Sequence, residues 1–150
     1  MCIRDRLKEL RARQPGVVGR ERQELLESAA DDYRRALAVR PLWPYGWVNL
    51  LSAKDKLGQV DSEFNGALRK AVETGPWEPR VQLGVIRLGI RNWDRLGSDE
   101  RVLVQGRIED ALRVQPRRVF QAARFYARPD LICGPGGNHA QIARWCKSVQ

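Results

Sequence analysis

Apolar side chains recur at helical spacing along most of this chain, and Gly, Pro and Asp interrupt them at short intervals. Trp47, Leu50 and Leu51 share one helical face, at i, i+3 and i+4. Gly58 breaks that pattern, and Asp61 is placed to cap a second helix. The second helix turns Phe64, Ala67, Leu68 and Ala71 inward, and Gly75-Pro76 stops it. Upstream, a pattern from about Glu21 carries Leu25, Leu26, Ala29, Tyr33, Ala36 and Leu37 and ends at Pro41. Downstream, a helix from about Arg80 to Asn92 turns Val81, Val85 and Leu88 inward, with Trp93 expected inward at its close. Gly97-Ser98 makes a turn where Ser98 or Asp99 can cap the next helix. That helix buries Leu103, Val104, Ile108, Ala111 and Leu112 and stops at Pro116. A seventh, short helix over Arg117 to Arg128 turns Val119, Ala122, Ala123 and Tyr126 inward. Residues 7–20 are basic, contain Pro15-Gly16, and read as a short helix and a loop. No strand-length run alternates apolar with polar between turns, so the chain is expected to be all-α.

The punctuation is periodic. Pro41-Leu42-Trp43-Pro44 and Pro76-Trp77-Glu78-Pro79 stand 35 residues apart, which suggests a helical repeat array. Three helix endings align, at Pro41, Pro76 and Pro116, each with alanine five residues before the proline. The alanine lets helices approach closely, and the proline cannot continue the helix. The step from Pro76 to Pro116 is 40 residues, and the extra length is expected in the loop from Asp94 to Glu100. Three regions follow: an N-terminal segment over 1–20, a repeat domain over 21–128, and a loop with a short last helix over 129–150. The helix ending at Pro41 lacks a convincing first partner. Either residues 3–14 supply a poor one, or the natural partner lies upstream. Met1-Cys2-Ile3-Arg4-Asp5-Arg6 resembles sequence from outside a natural reading frame, so the 1–20 segment is expected to be truncated.

Composition narrows the chemistry. The 150 residues are 43% hydrophobic and carry a net charge of +9. No apolar run approaches the ~20 residues that span a bilayer. Residues 76–150 hold 13 Lys and Arg against 7 Asp and Glu, and residues 1–75 hold 14 against 11. There is a single His. Gly134 to Gly137 lacks the Lys and Ser/Thr of a phosphate loop. Asp31-Asp32 and Glu109-Asp110 lie on helices, where neighbours in sequence face apart. Cys133, His139 and Cys146 offer too few ligands for a closed metal site, and Cys133 with His139 has no third group to orient a nucleophile. No catalytic residue, metal or cofactor is expected. Cys133 and Cys146 would pair in an oxidising compartment and remain small apolar residues in the cytosol.

The spacing Ala29, Tyr33, Ala36, Pro41 resembles the second helix of a tetratricopeptide repeat. Trp47, Leu50 and Leu51 fall where that family places Trp-x-x-Leu-Gly, with Leu51 in place of the glycine. Ala71 and Pro76 follow at the family spacing with one extra residue in the turn. The resemblance implies an α-solenoid of antiparallel helix pairs with about six to eight helices, and a groove lined by the first helices. On that architecture Asn49, Lys54, Lys56, Gln82 and Arg87 are the partner-binding candidates, Trp47 belongs to the core, and Trp43 and Trp77 staple adjacent pairs. The run Trp47-Val48-Asn49-Leu50-Leu51, then Gly75-Pro76-Trp77-Glu78-Pro79-Arg80-Val81-Gln82 and Trp93, is similar to the small VpsP-like proteins of bacterial polysaccharide-biosynthesis loci. That similarity implies a non-catalytic accessory protein of exopolysaccharide assembly or export, docking protein partners. It also implies a place on the periplasmic side of the inner membrane behind an N-terminal anchor, where Cys133 and Cys146 would form a disulfide. The alternative is a cytoplasmic, basic helical RNA-binding protein using Arg107, Arg113, Arg117, Arg118, Arg124 and Arg128 along one edge. Against it, 22 of the 27 basic residues are arginine, spread along the whole chain.

Overall fold

A computed structural model describes residues 3–133 and 140–147. Among them every regular element is helical. The chain divides into two compact units, residues 1–75 and 76–150, so the division falls inside the 21–128 stretch.

The first unit holds α1 (Ile3–Arg11), α2 (Gly19–Val39), α3 (Pro44–Lys56) and α4 (Ser62–Thr74). Each helix packs on the next, and the short connections make neighbours antiparallel. Leu26, Ala29, Tyr33 and Leu37 of α2 meet Leu50 and Leu51 of α3 and Phe64, Leu68 and Ala71 of α4 in a core closed to solvent. Asp61 caps α4 as its position suggests, its carboxylate accepting the Phe64 N–H at 3.0 Å. Gly58 reverses the chain before it at φ +71°, a conformation that costs a side chain 1–2 kcal/mol or so. Residues 3–11 do supply a partner for α2, and largely a polar one. Lys8 of α1 reaches Ser28 and Asp32 of α2, and among the described side chains of this end Ala12, just past α1, is the buried apolar contribution.

The second unit holds α5 (Pro79–Arg91), a single 3-10 turn (Trp93–Arg95), α6 (Ser98–Val114), α7 (Pro116–Phe125), α8 (Asp130–Cys133) and α9 (Ala140–Lys147). α5 packs on both α6 and α7, and α8 and α9 rest on α7. Its core is Val81, Val85, Ile86 and Ile90 against Val104, Ile108, Ala111, Val119 and Ala123. α6 begins one residue earlier than a Ser98 cap requires and two earlier than an Asp99 cap requires. Gly97 is the cap residue, no side chain caps the helix, and Asp99 and Glu100 sit in its first turn. Carboxylates there are favoured by the exposed N–H groups of a helix start. The extra length between Pro76 and Pro116 lies mainly in the helix. The loop grows little; α6 has 17 residues where α4 has 13. Trp93 is half-buried and lies beneath the guanidinium groups of Arg101 and Arg128, while Leu96 occupies the core position beside it. Tyr126 is likewise half-buried, and Phe120 takes the inward place on α7.

The sequence period has a structural counterpart at three helix ends. Arg40, Gly75 and Gln115 each donate their N–H to the carbonyl of the alanine four residues back, at 2.9, 3.1 and 2.7 Å. Their backbones match as well, with φ/ψ of −131/68°, −137/51° and −138/53°. The proline that follows excludes a helical ψ, so each chain leaves its helix in the same direction.

Candidate functional site

The five groove candidates are divided between the two units. Asn49, Lys54 and Lys56 lie on α3 in the first unit, and Gln82 and Arg87 lie on α5 in the second.

Lys54 is not a groove residue. It is 2% exposed, and its Nζ donates to Asp61 at 2.8 Å, Glu63 at 2.6 Å and Gln59 at 3.2 Å. Glu63 also receives a two-pronged bond from Arg34 of α2, at 2.6 and 2.8 Å. One ammonium therefore ties α3 to the start of α4, and one carboxylate carries the link on to α2. The Arg34 bonds, and then those of Lys54, hold the Glu63 carboxyl down at about 2. Burial would raise the Asp61 carboxyl, but its bonds to Lys54 and to the Phe64 N–H outweigh that and lower it. Both acids are thus ionised at neutral pH and are unsuited to general-base work there. The cluster is a clamp.

Gln82 also points inward. It is 6% exposed and donates Nε2–H to the Pro76 carbonyl at 2.6 Å. The same contact recurs one period earlier, where Trp47 donates Nε1–H to the Pro41 carbonyl at 2.8 Å. Both donors stand six residues after the proline and pin the inter-helix turn to the following helix. Trp47 is half-buried, less enclosed than a core assignment requires, because its ring leans over the turn it bonds. Lys56 lines a cleft of about 400 Å³ with Arg22 and Gln23, but its Nζ is bonded to Glu9 at 3.0 Å. Asn49 is half-buried.

Arg87 is the candidate that faces an open cleft. It is exposed, and with Gln121, Ala122, Phe125 and Tyr126 it lines a space of about 360 Å³ between α5 and α7. The Phe125 ring is 81% exposed and meets Tyr126 edge to face at 4.9 Å. A second cleft, of about 460 Å³, lies in the first unit between the Pro41 turn and α4. Leu42 and Trp47 line it, along with Lys70, Glu73 and Thr74, whose polar groups are bonded to each other or to backbone.

The two tryptophans of the proline turns differ. Trp43 packs where Gly46 leaves room: a methyl group on Gly46 would come within 2.4 Å of its ring. Trp77 is not a staple; it is 80% exposed, as is Leu42 one period earlier. The six arginines of the basic edge also separate. Arg107 is paired with Asp110, and Arg128 with Asp94 and Asp130, whereas Arg113, Arg117, Arg118 and Arg124 are exposed.

Cys133 and Cys146 are joined in a disulfide, with Cα atoms 5.5 Å apart. Among the described residues no group of three His, Cys, Asp or Glu side chains could hold a metal; His139 lies outside them. No helix among them is long and apolar enough to cross a membrane. No protein-family model matches this chain, nor does any curated protein or solved structure match it significantly.

Proposed function

We propose that this chain is a non-catalytic, tetratricopeptide-like docking module that binds a protein partner in the assembly or export of a bacterial surface polysaccharide. The observation that carries the docking part is the pair Leu42 and Trp77. They hold equivalent places in two proline-bounded turns, and each is 80% exposed although the helices beside them are well packed. Large apolar side chains held rigidly in solvent supply the anchors that dominate protein interfaces. The polar side chains that could have served chemistry are largely engaged in holding helices together, Lys54, Glu63 and Gln82 among them. The polysaccharide part rests on the resemblance of the Gly75–Gln82 string and its flanking tryptophans to VpsP-like proteins. The Cys133–Cys146 bridge supports a periplasmic setting, since such bonds persist in oxidising compartments.

The test is a photo-crosslinking residue at Trp77, used in cells that retain the natural neighbouring genes. A glycosyltransferase or export component among the crosslinked proteins is the expected result. Crosslinks to RNA or to RNA-processing proteins would replace this reading with the RNA-binding one.

A further inference from the structure

The cleft between α5 and α7 has an unusual charge environment. Neither helix contains an acidic residue, while α5 carries Arg80, Arg87 and Arg91 and α7 carries Arg117, Arg118 and Arg124. Arg87 makes no hydrogen bond or ion pair with any described residue, although its guanidinium stands at the cleft. On α7, Arg117, Gln121, Arg124 and Phe125 fall at i, i+4, i+7 and i+8, one continuous solvent face. That face joins cations to an exposed aromatic ring, and the cleft walls add the apolar Ala122. An isolated cation could serve solubility alone. An unpaired guanidinium and an 81% exposed phenyl ring lining one cleft give a ligand two unlike anchors.

We propose that this cleft docks an acidic peptide segment of the partner, one carboxylate gripped by Arg87 and an adjacent apolar side chain laid against Phe125 and Ala122. Further carboxylates along the segment are drawn by Arg117, Arg118 and Arg124. The guanidinium fork matches a carboxylate in a two-pronged bond, and the low-dielectric wall strengthens it. The inference rests on the protein-docking reading and names the chemistry of what docks.

A fluorescein-labelled peptide of repeated Glu-Glu-Leu triplets is the probe, read by anisotropy against the whole chain. Binding should weaken as salt rises. It should fall about tenfold in Arg87→Glu and several-fold in Phe125→Ser, and stay unchanged in Val18→Ser, an exposed position in the other unit. Both substituted side chains are exposed, and unaltered thermal melts verify that the variants fold. Equal affinity for Glu-Glu-Ser and Glu-Glu-Leu triplets would reduce the site to bulk charge and overturn the proposal. So would full binding by the Arg87→Glu variant. A uridine oligonucleotide that binds more tightly than the peptide, and is lost in the same variants, would assign the cleft to nucleic acid. If the peptide fails while crosslinking at Trp77 still captures an envelope protein, the acidic-peptide assignment falls and the docking reading stands.

Discussion

Lys54 is the centre of a network that, through Glu63, links three helices. Its ammonium is almost wholly enclosed, yet it keeps its charge because Asp61, Glu63 and Gln59 surround it. Lys54→Ala should therefore destabilise the first unit by about 2–3 kcal/mol, which chemical denaturation will read. Lys54→Met keeps the aliphatic stem and should cost about half as much, since the two acids are partly hydrated and Glu63 retains Arg34. The cluster also sets an acid limit. Glu63 is held at about 2 against an ordinary 4.5, so its folded form binds protons less readily than its unfolded form. Its contribution is complete above pH 4.5 and drains away as pH falls toward about 2. A Glu63→Gln variant should lose stability at neutral pH and show a flatter decline across that acid window. The sequence did contain half of this clamp: Asp61 reads as a helix cap, and a cap at that distance returns to the end of the preceding helix. It did not show that Lys54 would turn toward Asp61 rather than solvent, nor that Arg34 would meet Glu63 across 29 residues, since both depend on how the helices pack.

Helix boundaries were the most legible feature, because Pro, Gly and Asp act locally. Asp61, Gly58 and the prolines at 41, 76 and 116 each do in the fold what their backbone chemistry requires. Contacts between helices were harder to read, since they depend on which faces meet. Gly89 is an example. It is buried in α5, and a methyl group there would stand 2.5 and 2.7 Å from the two methyls of Val104 on α6. Valine is fixed at χ1 and cannot swing aside. Gly89→Ala should therefore destabilise the second unit by about 1–3 kcal/mol through forced separation of α5 and α6. Gly66, in the middle of α4, has nothing within 4 Å of the same added methyl. Gly66→Ala should raise stability by up to about 1 kcal/mol, from helix propensity alone. Parallel thermal melts of the two variants check the opposite signs. If Gly89→Ala stabilises as Gly66→Ala does, α5 and α6 are not in close contact at that point. Neither glycine differs from the other in sequence pattern, so only the fold separates them.

At the scale of the whole molecule, the two units are secured by different means. In the first, the Lys54 and Glu63 network joins α2, α3 and α4. In the second, the C-terminal segment is held covalently, by Cys133 to Cys146. Packing assists the bridge: Ile132 and Ile142 are buried, and the Trp145 ring lies 5.0 Å from Phe120 of α7. A link closing so short a loop contributes on the order of 3 kcal/mol to the segment it closes in the chain-entropy picture. Little of that should reach the cores of either unit, since α9 touches only α7 and α8 in strength. Cys133→Ser should therefore speed amide exchange over α8 and α9 and leave exchange in α3, α4 and α5 unchanged. Thiol titration comes first. Protein made in an oxidising compartment should yield one reactive thiol per unfolded chain, from Cys2, and three after reduction. Three thiols before reduction would rule out the bridge. If the bridge is present but its loss lowers protection throughout the second unit, α9 is part of the core and the covalent link is its chief fastening. Uniform loss of protection across α5, α6 and α7 in Cys133→Ser is the result that would establish that.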